Sequence, residues 1–286
     1  MPGPVGLREL LAADDVVAAA GCYDAFSARI AAAAGFEAVY MTGNGASAVR
    51  LGSPDVGLMT LTEMADQAGR MAAAVDVPLI ADADTGFGGP LSVIRTVETY
   101  GRAGVAALHL EDQAMPKRCG HLAGKQLIGA AEHAGRIRAA VDARGAEGPL
   151  VIGRTDAVSV EGVESAIDRA ISYGEAGADL LFVEGLPDVD SISRAVEVLG
   201  DWPLVYAWVE GKGPQLTVSQ LGELGIRVVI FPLTAILSTL ANLGHLYAAL
   251  RRDGSPASMM DAMATFEEFN EFMGAAAASD RESRYT

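Results

Sequence analysis

Asp82 and Asp84 stand two residues apart, a spacing that turns both carboxylates to the same side of an extended strand end. Glu111 ends a later apolar run and brings a third carboxylate. Three carboxylates without Cys or His at ligand spacing suit a hard cation, Mg²⁺ or else Mn²⁺, held partly through waters and substrate oxygens. A lone Asp after a strand is commonly a helix N-cap. Three together, with Asp55 in a nearby polar loop, favour the metal. Thr42-Gly43-Asn44-Gly45 sets a hydroxyl before exposed backbone N–H groups, a cradle for a carboxylate or simply a turn. The third group is the charged segment Glu111 to His121, in which Cys119 has Lys117, Arg118 and His121 as neighbours. Positive charge that close should lower the thiol's pKa and make it a usable acid, base or nucleophile, and so basic a loop argues against burial. Cys22 lacks such neighbours and reads as structural, while His133 and His245 read as surface or core residues. His109 lies within a strand, as a wall residue or a participant.

These residues act together only if the fold brings them to one place. Short apolar runs alternate with Ala-rich helical patterns, the mark of parallel strands joined by helical crossovers. The runs are Val16 to Ala20, Ala38 to Met41, Pro78 to Ala81, Val105 to Leu110, Leu150 to Gly153, Leu180 to Val183, Leu204 to Val209 and Val228 to Phe231. Eight such units predict an α/β fold, a TIM-type (β/α)8 barrel, whose strand ends converge on one face where active sites are built. Helices are expected over Ser27 to Ala34, Thr62 to Val75, Pro90 to Ala103, Glu132 to Ala143 and Val163 to Ala176. Gly86, Gly88 and Gly89 fit a tight turn opening the third of these. No linker divides the chain, so residues 1–286 read as one barrel domain with 255–286 as a helical extension. That extension carries Met259, Met260, Met263, Phe266, Phe269 and Met273 at helical spacing, to pack on the core or to cover a neighbouring subunit.

Composition narrows the partners. The 286 residues carry 21 basic and 37 acidic side chains, a net charge of −16, which opposes binding to nucleic acid or anionic lipid. The uncharged stretch from Val228 to Leu250 is interrupted by Pro232, Asn242, Gly244 and His245, and reads as a buried barrel segment in place of a membrane span. Two cysteines far apart, and no basic cluster leading into an apolar run at the N-terminus, point to the cytoplasm.

The segments Asp82-Ala83-Asp84-Thr85-Gly86-Phe87-Gly88, His109-Leu110-Glu111-Asp112-Gln113, Lys117-Arg118-Cys119-Gly120-His121 and Gly153-Arg154-Thr155-Asp156-Ala157 together resemble the isocitrate lyase and phosphoenolpyruvate mutase superfamily. The likeness runs from about Gly21 to Leu250. Its Cys-containing loop is similar to that of the carbon–carbon lyases, and the carboxyphosphonoenolpyruvate phosphonomutases share it. The resemblance implies a tetrameric barrel with terminal helices exchanged between subunits. It implies that Asp82, Asp84 and Glu111 hold Mg²⁺ with Asp55 behind them, and that Thr42, Gly43 and Asn44 cradle the substrate's α-carboxylate. It further implies that Arg154 meets substrate oxyanions, that Glu184 orients the distal end, that Tyr40 lies near the reacting hydroxyl, and that Lys117 to His121 close over the substrate. The expected activity is lysis of a 2-hydroxy or 2-oxo dicarboxylate to a small keto acid, with Cys119 as general acid. The alternatives are a phosphonomutase and a keto-acid-binding paralogue without turnover. Two departures bear on substrate choice. The family's cradle reads Ser-Gly-Gly where this chain has Thr42-Gly43-Asn44, and Ala207, between Tyr206 and Trp208, stands where relatives carry a carboxylate-binding Asn.

Overall fold

In the computed structural model, which describes residues 3–286, eight parallel strands close into a barrel. They are β1 (Val17–Cys22), β2 (Ala38–Met41), β3 (Leu79–Asp82), β4 (Ala107–Glu111), β5 (Leu150–Thr155), β6 (Leu180–Val183), β7 (Leu204–Ala207) and β8 (Val228–Phe231). Each pairs with the next, and Val17 opposite Val228 begins the pairing of β1 with β8 that completes the ring. The strands are buried on both faces, which is why they read as unbroken apolar runs.

The two faces of the strands build two separate cores. Inside the barrel, Val17, Ala38, Tyr40, Ile80, Ala107, Ile152, Phe182, Val205 and Ile230 pack together. Outside it, Val39, Met41, Leu79, Leu108, Leu110, Val151 and Leu181 pack under the helices. Because side chains alternate along a strand, the inward row of each continues upward to a polar residue. Ile80 leads to Asp82, His109 to Glu111, Ile152 to Arg154 and Phe182 to Glu184, all at the C-terminal mouth.

The structure extends β1 through Gly21 and Cys22, and β5 through Arg154 and Thr155, beyond the runs expected from sequence. Strand β7 stops at Ala207, short of the expected Val209. A tight bridge between Val209 and Lys212 turns the chain there, and the Trp208 indole donates to the Leu216 carbonyl 2.9 Å away. Thr42-Gly43-Asn44-Gly45 is not a loop but the start of a helix, Gly43–Leu51, N-capped by the Thr42 hydroxyl, which accepts from the Gly45 N–H at 3.3 Å.

The chain forms two compact units, one ending at Ile236 and the other running from Leu237 to Thr286. In the second, the sequence pattern suggested one helical spacing from Met259 to Met273. The structure instead has a 3-10 segment, Ala257–Ala262, and then a new helix, Phe266–Met273, started by a capping box between Thr265 and Glu268. The helix Thr234–Asp253 is also not the buried segment expected, since Leu237, Leu240, Leu243, Tyr247 and Leu250 are exposed. Among the described residues no helix is long and apolar enough to cross a membrane.

Candidate active site

The mouth of the barrel encloses a cavity of about 40 Å³, room for a few waters or a very small acid. Tyr40, Asp82, Glu111, Arg154, Glu184 and Ala207 rise from the strands. Thr42 and Asn44 come from the helix start, Asp55 from the loop beyond it, and Lys117, Cys119 and His121 from above. Most of the residues expected from the sequence are therefore brought together around one space, but Asp84 and Arg118 do not line it, and Arg118 faces outward. Trp208, next to Ala207, does not line the cavity and packs on Phe231.

Asp84 sits just past β3 with φ of 48°, the left-handed region that non-glycine residues rarely adopt. Its backbone N–H donates to Asp82 Oδ1 at 2.9 Å, so the turn folds the two carboxylates back toward each other. Such strain in an otherwise regular barrel is characteristic of functional sites. Gly43 approaches Asp82 so closely that a Cβ there would collide with its carboxylate.

The charges do not balance. Asp55, Asp82, Asp84, Glu111, Asp156 and Glu184 are six buried carboxylates, against three buried cations, Lys117, Lys125 and Arg154. Lys117 reaches Asp55 at 2.6 Å and also contacts Asp84. Arg154 lies 3.4 Å from both Glu111 and Glu184, pairs with Asp156 at 3.0 Å, and rests over the Phe182 ring at 5.1 Å. Burial, reinforced by Asp82 and Asp55, pushes the Asp84 carboxyl up to about 7 despite Lys117. Burial also pushes Glu111 well above the carboxylate range, and its Oε1 has no hydrogen-bond partner. Excess buried negative charge with an unpartnered oxygen fits a divalent cation. Among the described residues no three His, Cys, Asp or Glu side chains form a ready-made ligand cluster.

Cys119 differs from the sequence expectation. Its thiol is pushed up, not down, because burial dominates, with Asp55 and Glu184 adding to it. The three basic neighbours spend their charge elsewhere. Lys117 turns down to Asp55 and Asp84, Arg118 points outward to the Ala123 carbonyl, and His121 pairs with Glu184 at 3.2 Å. The thiol consequently keeps its proton near neutral pH. Cys22 is buried outside the cavity, its thiol pushed to about 12 by burial and by Asp24.

His109 is a wall residue in contact with the site. Its Nε2 lies 2.8 Å from the Tyr40 hydroxyl and its Nδ1 3.7 Å from Asp82. Burial draws its imidazole down to about 4, so the ring is neutral. Burial also holds the Tyr40 phenol well above its usual range, as a hydroxyl that keeps its proton. His133 is a core residue, with Nε2 3.2 Å from the Leu110 carbonyl, and His245 is exposed.

Sequence reasoning assigned no role to Asp112, Gln113, Lys125 or Asp156. Asp112 follows Glu111 and so points out of the barrel, where it accepts from the Thr155 hydroxyl, the Asp156 N–H and the Tyr173 hydroxyl at 2.7, 2.9 and 2.7 Å. Asp156 then holds the Arg154 guanidinium through both oxygens, at 3.0 and 3.1 Å. The signal available was the strand period itself: an acid directly after Glu111 must face the opposite side.

A family model described as phosphoenolpyruvate phosphomutase matches residues 7–251. The chain belongs to the phosphoenolpyruvate phosphomutase family. It is 42% identical over 279 residues to 2,3-dimethylmalate lyase of Eubacterium barkeri, covering 98% of this chain and 96% of the relative. It is 41% identical over 283 residues to carboxyvinyl-carboxyphosphonate phosphorylmutase of Arabidopsis thaliana, covering 98% and 84%. The solved structure of oxaloacetate acetylhydrolase with 3,3-difluorooxalacetate superposes with a TM-score of 0.93 at 39% identity, covering 99% of this chain and 97% of the other. Another family fold, phosphonopyruvate hydrolase in complex with oxalate and Mg²⁺, gives 0.89 at 30% identity, covering 100% and 99%. This member of the family is accordingly an enzyme of the superfamily that also contains isocitrate lyase.

Proposed function

We propose that this enzyme is a Mg²⁺-dependent carbon–carbon lyase that cleaves a 2-hydroxy or 2-oxo dicarboxylate to a small keto acid. The observation that carries the reading is the cavity at the barrel mouth, which Asp82, Glu111, Arg154 and the Cys119 thiol line together. Asp82, Asp84 and Glu111 would hold the Mg²⁺, with Asp55 supporting them. When bound, the ion supplies positive charge to the carboxylate and hydroxyl oxygens of the substrate.

The chain's own residues account for the rest. The first-turn N–H groups of Gly43 and Asn44 lack acceptors within the helix and, with the Thr42 hydroxyl, suit the α-carboxylate. Arg154 meets substrate oxyanions, while Glu184, fixed by Arg154 and His121, orients the distal end. Tyr40, backed by neutral His109, stands at the reacting hydroxyl. Breaking the carbon–carbon bond leaves its electron pair on the departing carbon as an enolate, a strong base that must be protonated as it forms. The Cys119 S–H delivers that proton, while the proton of the substrate hydroxyl passes to the Tyr40 oxygen as the Tyr40 proton moves to His109 Nε2, and both groups re-equilibrate with solvent when the loop opens. The loop from Lys117 to His121 excludes water while the enolate exists. We further read the working unit as a homotetramer.

The 41% identity to a phosphorylmutase supports a second reading, carbon–phosphorus transfer in the same cavity. One panel separates the two. Pyruvate release from 2,3-dimethylmalate, 2-methylisocitrate and 2-methylmalate is followed with a coupled dehydrogenase, loss of oxaloacetate by its own absorbance and turnover of a carboxyvinyl carboxyphosphonate by phosphorus NMR, each with Mg²⁺ or with excess chelator. Release from a dicarboxylate, abolished by chelator and restored by Mg²⁺ or Mn²⁺, is the expected result. Full turnover in chelator would remove the metal. Activity on the carboxyphosphonate alone would select the mutase. No release, with thermal stabilisation by oxalate and Mg²⁺, would leave a binding protein.

A further inference from the structure

The segment that roofs the cavity is tied down at several points, and one tie has no role in the chemistry proposed above. Lys125 is buried, and its ammonium donates to Asp156 Oδ1 at 3.2 Å and to the carbonyl of Gly120. Gly120 is the point where the roof presses hardest on the floor. A Cβ there would lie 2.5 Å from Arg154 Nη2, 2.9 Å from Glu184 Cγ and 3.0 Å from Asp156 Oδ1. The roof therefore seats fully only with glycine at 120 and with its carbonyl drawn toward Lys125. Asp156 is in turn immobilised from below by Asp112 and holds Arg154 through both oxygens. One carboxylate thus fixes the substrate-facing guanidinium and, through Lys125, the backbone of the roof one residue beyond Cys119.

We propose that Lys125 is a positioning residue, the latch through which Asp156 couples seating of the Lys117–His121 loop to the placement of Arg154. The ammonium satisfies two acceptors at once: the Asp156 oxygen shared with Arg154 and the Gly120 carbonyl. With Lys125 removed, the carbonyl loses its charged donor, Asp156 loses a cation, and the loop spends more time open. Lys117 and His121 also tie the loop, through Asp55, Asp84 and Glu184, but those contacts belong to groups assigned to metal or substrate. Lys125 touches neither, so its loss reads the latch alone. The inference concerns loop seating in the resting enzyme and stands whether the reaction is cleavage or transfer.

The two cysteines provide the readout. Cys22 is fully buried within the barrel wall and the half-buried Cys119 thiol of the roof faces the cavity, so alkylation by iodoacetamide reports opening of the loop, with Cys22 as the internal control. The rate at Cys119 is measured by mass spectrometry of digests, without substrate, in wild type, Lys125→Met and Lys125→Arg, beside melting temperatures. In Lys125→Met, Cys119 is expected to react about ten- to a hundred-fold faster than in wild type, the loss of a charge-assisted hydrogen bond. Cys22 should stay unreactive. Lys125→Arg, which keeps charge and donors, should return most of the protection, as a merely space-filling role would not. If Lys125→Met does not fold, Lys125→Gln takes its place with the same expectation. A folded Met or Gln variant whose Cys119 reacts at the wild-type rate overturns the latch. So does an arginine variant as exposed as the methionine one, or reaction of Cys22 in step with Cys119, which would mean general loosening. None of these rates depends on turnover, so failure of the lyase reading and failure of the latch are told apart.

Discussion

Cys119 shows why side-chain neighbours in sequence are a poor guide to charge in space. Three basic residues within two positions of it promise an activated thiolate, yet Lys117 and His121 are bound to carboxylates of other segments and Arg118 faces outward. The result suits an acid better than a nucleophile, since a protonated thiol can give its hydrogen to carbon. Cys119→Ser should therefore retain substrate binding while kcat falls by about 100- to 10,000-fold, the usual worth of a positioned acid. Near-normal kcat for a dicarboxylate would take Cys119 out of the mechanism. Ala207 makes a second test at this scale. It lines the cavity and offers no side-chain donor, and the Trp208 indole is committed to the Leu216 carbonyl. Tricarboxylates such as 2-methylisocitrate should be poor substrates beside 2,3-dimethylmalate. A hydrogen bond to a charged group is worth ~1.5–3 kcal/mol, so Ala207→Asn should raise kcat/KM for 2-methylisocitrate roughly ten- to 150-fold. Wild type already preferring 2-methylisocitrate, with no gain in the variant, would refute the pocket argument.

At the scale of elements, all eight strands were legible because a parallel barrel strand is buried on both faces and shows as a short apolar run. β2, β6 and β8 have the bounds expected of them. What stayed hidden depends on contacts between elements. The helix Gly43–Leu51 begins Gly-Asn-Gly, a poor helix start by propensity, and exists because Thr42 caps it and its first turn packs against Asp82 of β3 and Tyr23 just past β1. The buried set Asp112, Thr155, Tyr173 and Arg169 joins β4, β5 and the helix Val163–Glu175, and no local pattern announces it. His133, on the helix Ala130–Arg144, was left between surface and core, and its place under Tyr173 has a measurable result. Burial, with Arg136 adding to it, pushes this imidazole down to about 3, against about 6.5 in an unfolded chain. Between those values the unfolded chain takes up a proton that the folded one refuses. Stability is therefore full above the unfolded value and falls as pH drops through the window, by up to about 1.4 kcal/mol per pH unit. The slope of unfolding free energy between pH 6.5 and 4.5 should be shallower by that amount in His133→Gln. Parallel curves for the two proteins would show that His133 does not titrate on unfolding.

At the scale of the whole molecule, the chain's apolar residues are not all used by its own folds. Within the unit from Leu237 to Thr286, Leu240, Tyr247, Met260 and Phe266 are 73, 61, 63 and 81% exposed, and Leu237, Leu243 and Leu250 are exposed as well. Leu237, Leu240, Leu243, Tyr247 and Leu250 recur every three or four residues, one stripe of a helix that presents no charged residue before Arg251. A monomer with a net charge of −16 is kept soluble by its charge, but an apolar face of this extent is what subunit interfaces are made from. In sequence, the helical spacing of Met and Phe left core packing and subunit cover equally open. The exposure of these side chains argues for cover, supplied by a second copy in a closed symmetric assembly. Light scattering on a sizing column should give about four times the 29.6 kDa of one chain. A charge placed in the stripe meets desolvation without a partner, so Leu240→Glu should shift the mass toward dimer or monomer at micromolar concentration. The barrel's far-UV circular dichroism should be retained, because Leu240 lies outside the unit that carries the barrel. A wild-type enzyme that elutes as a monomer at every concentration, or a Leu240→Glu variant with unchanged mass, would mean that this stripe is not where subunits meet.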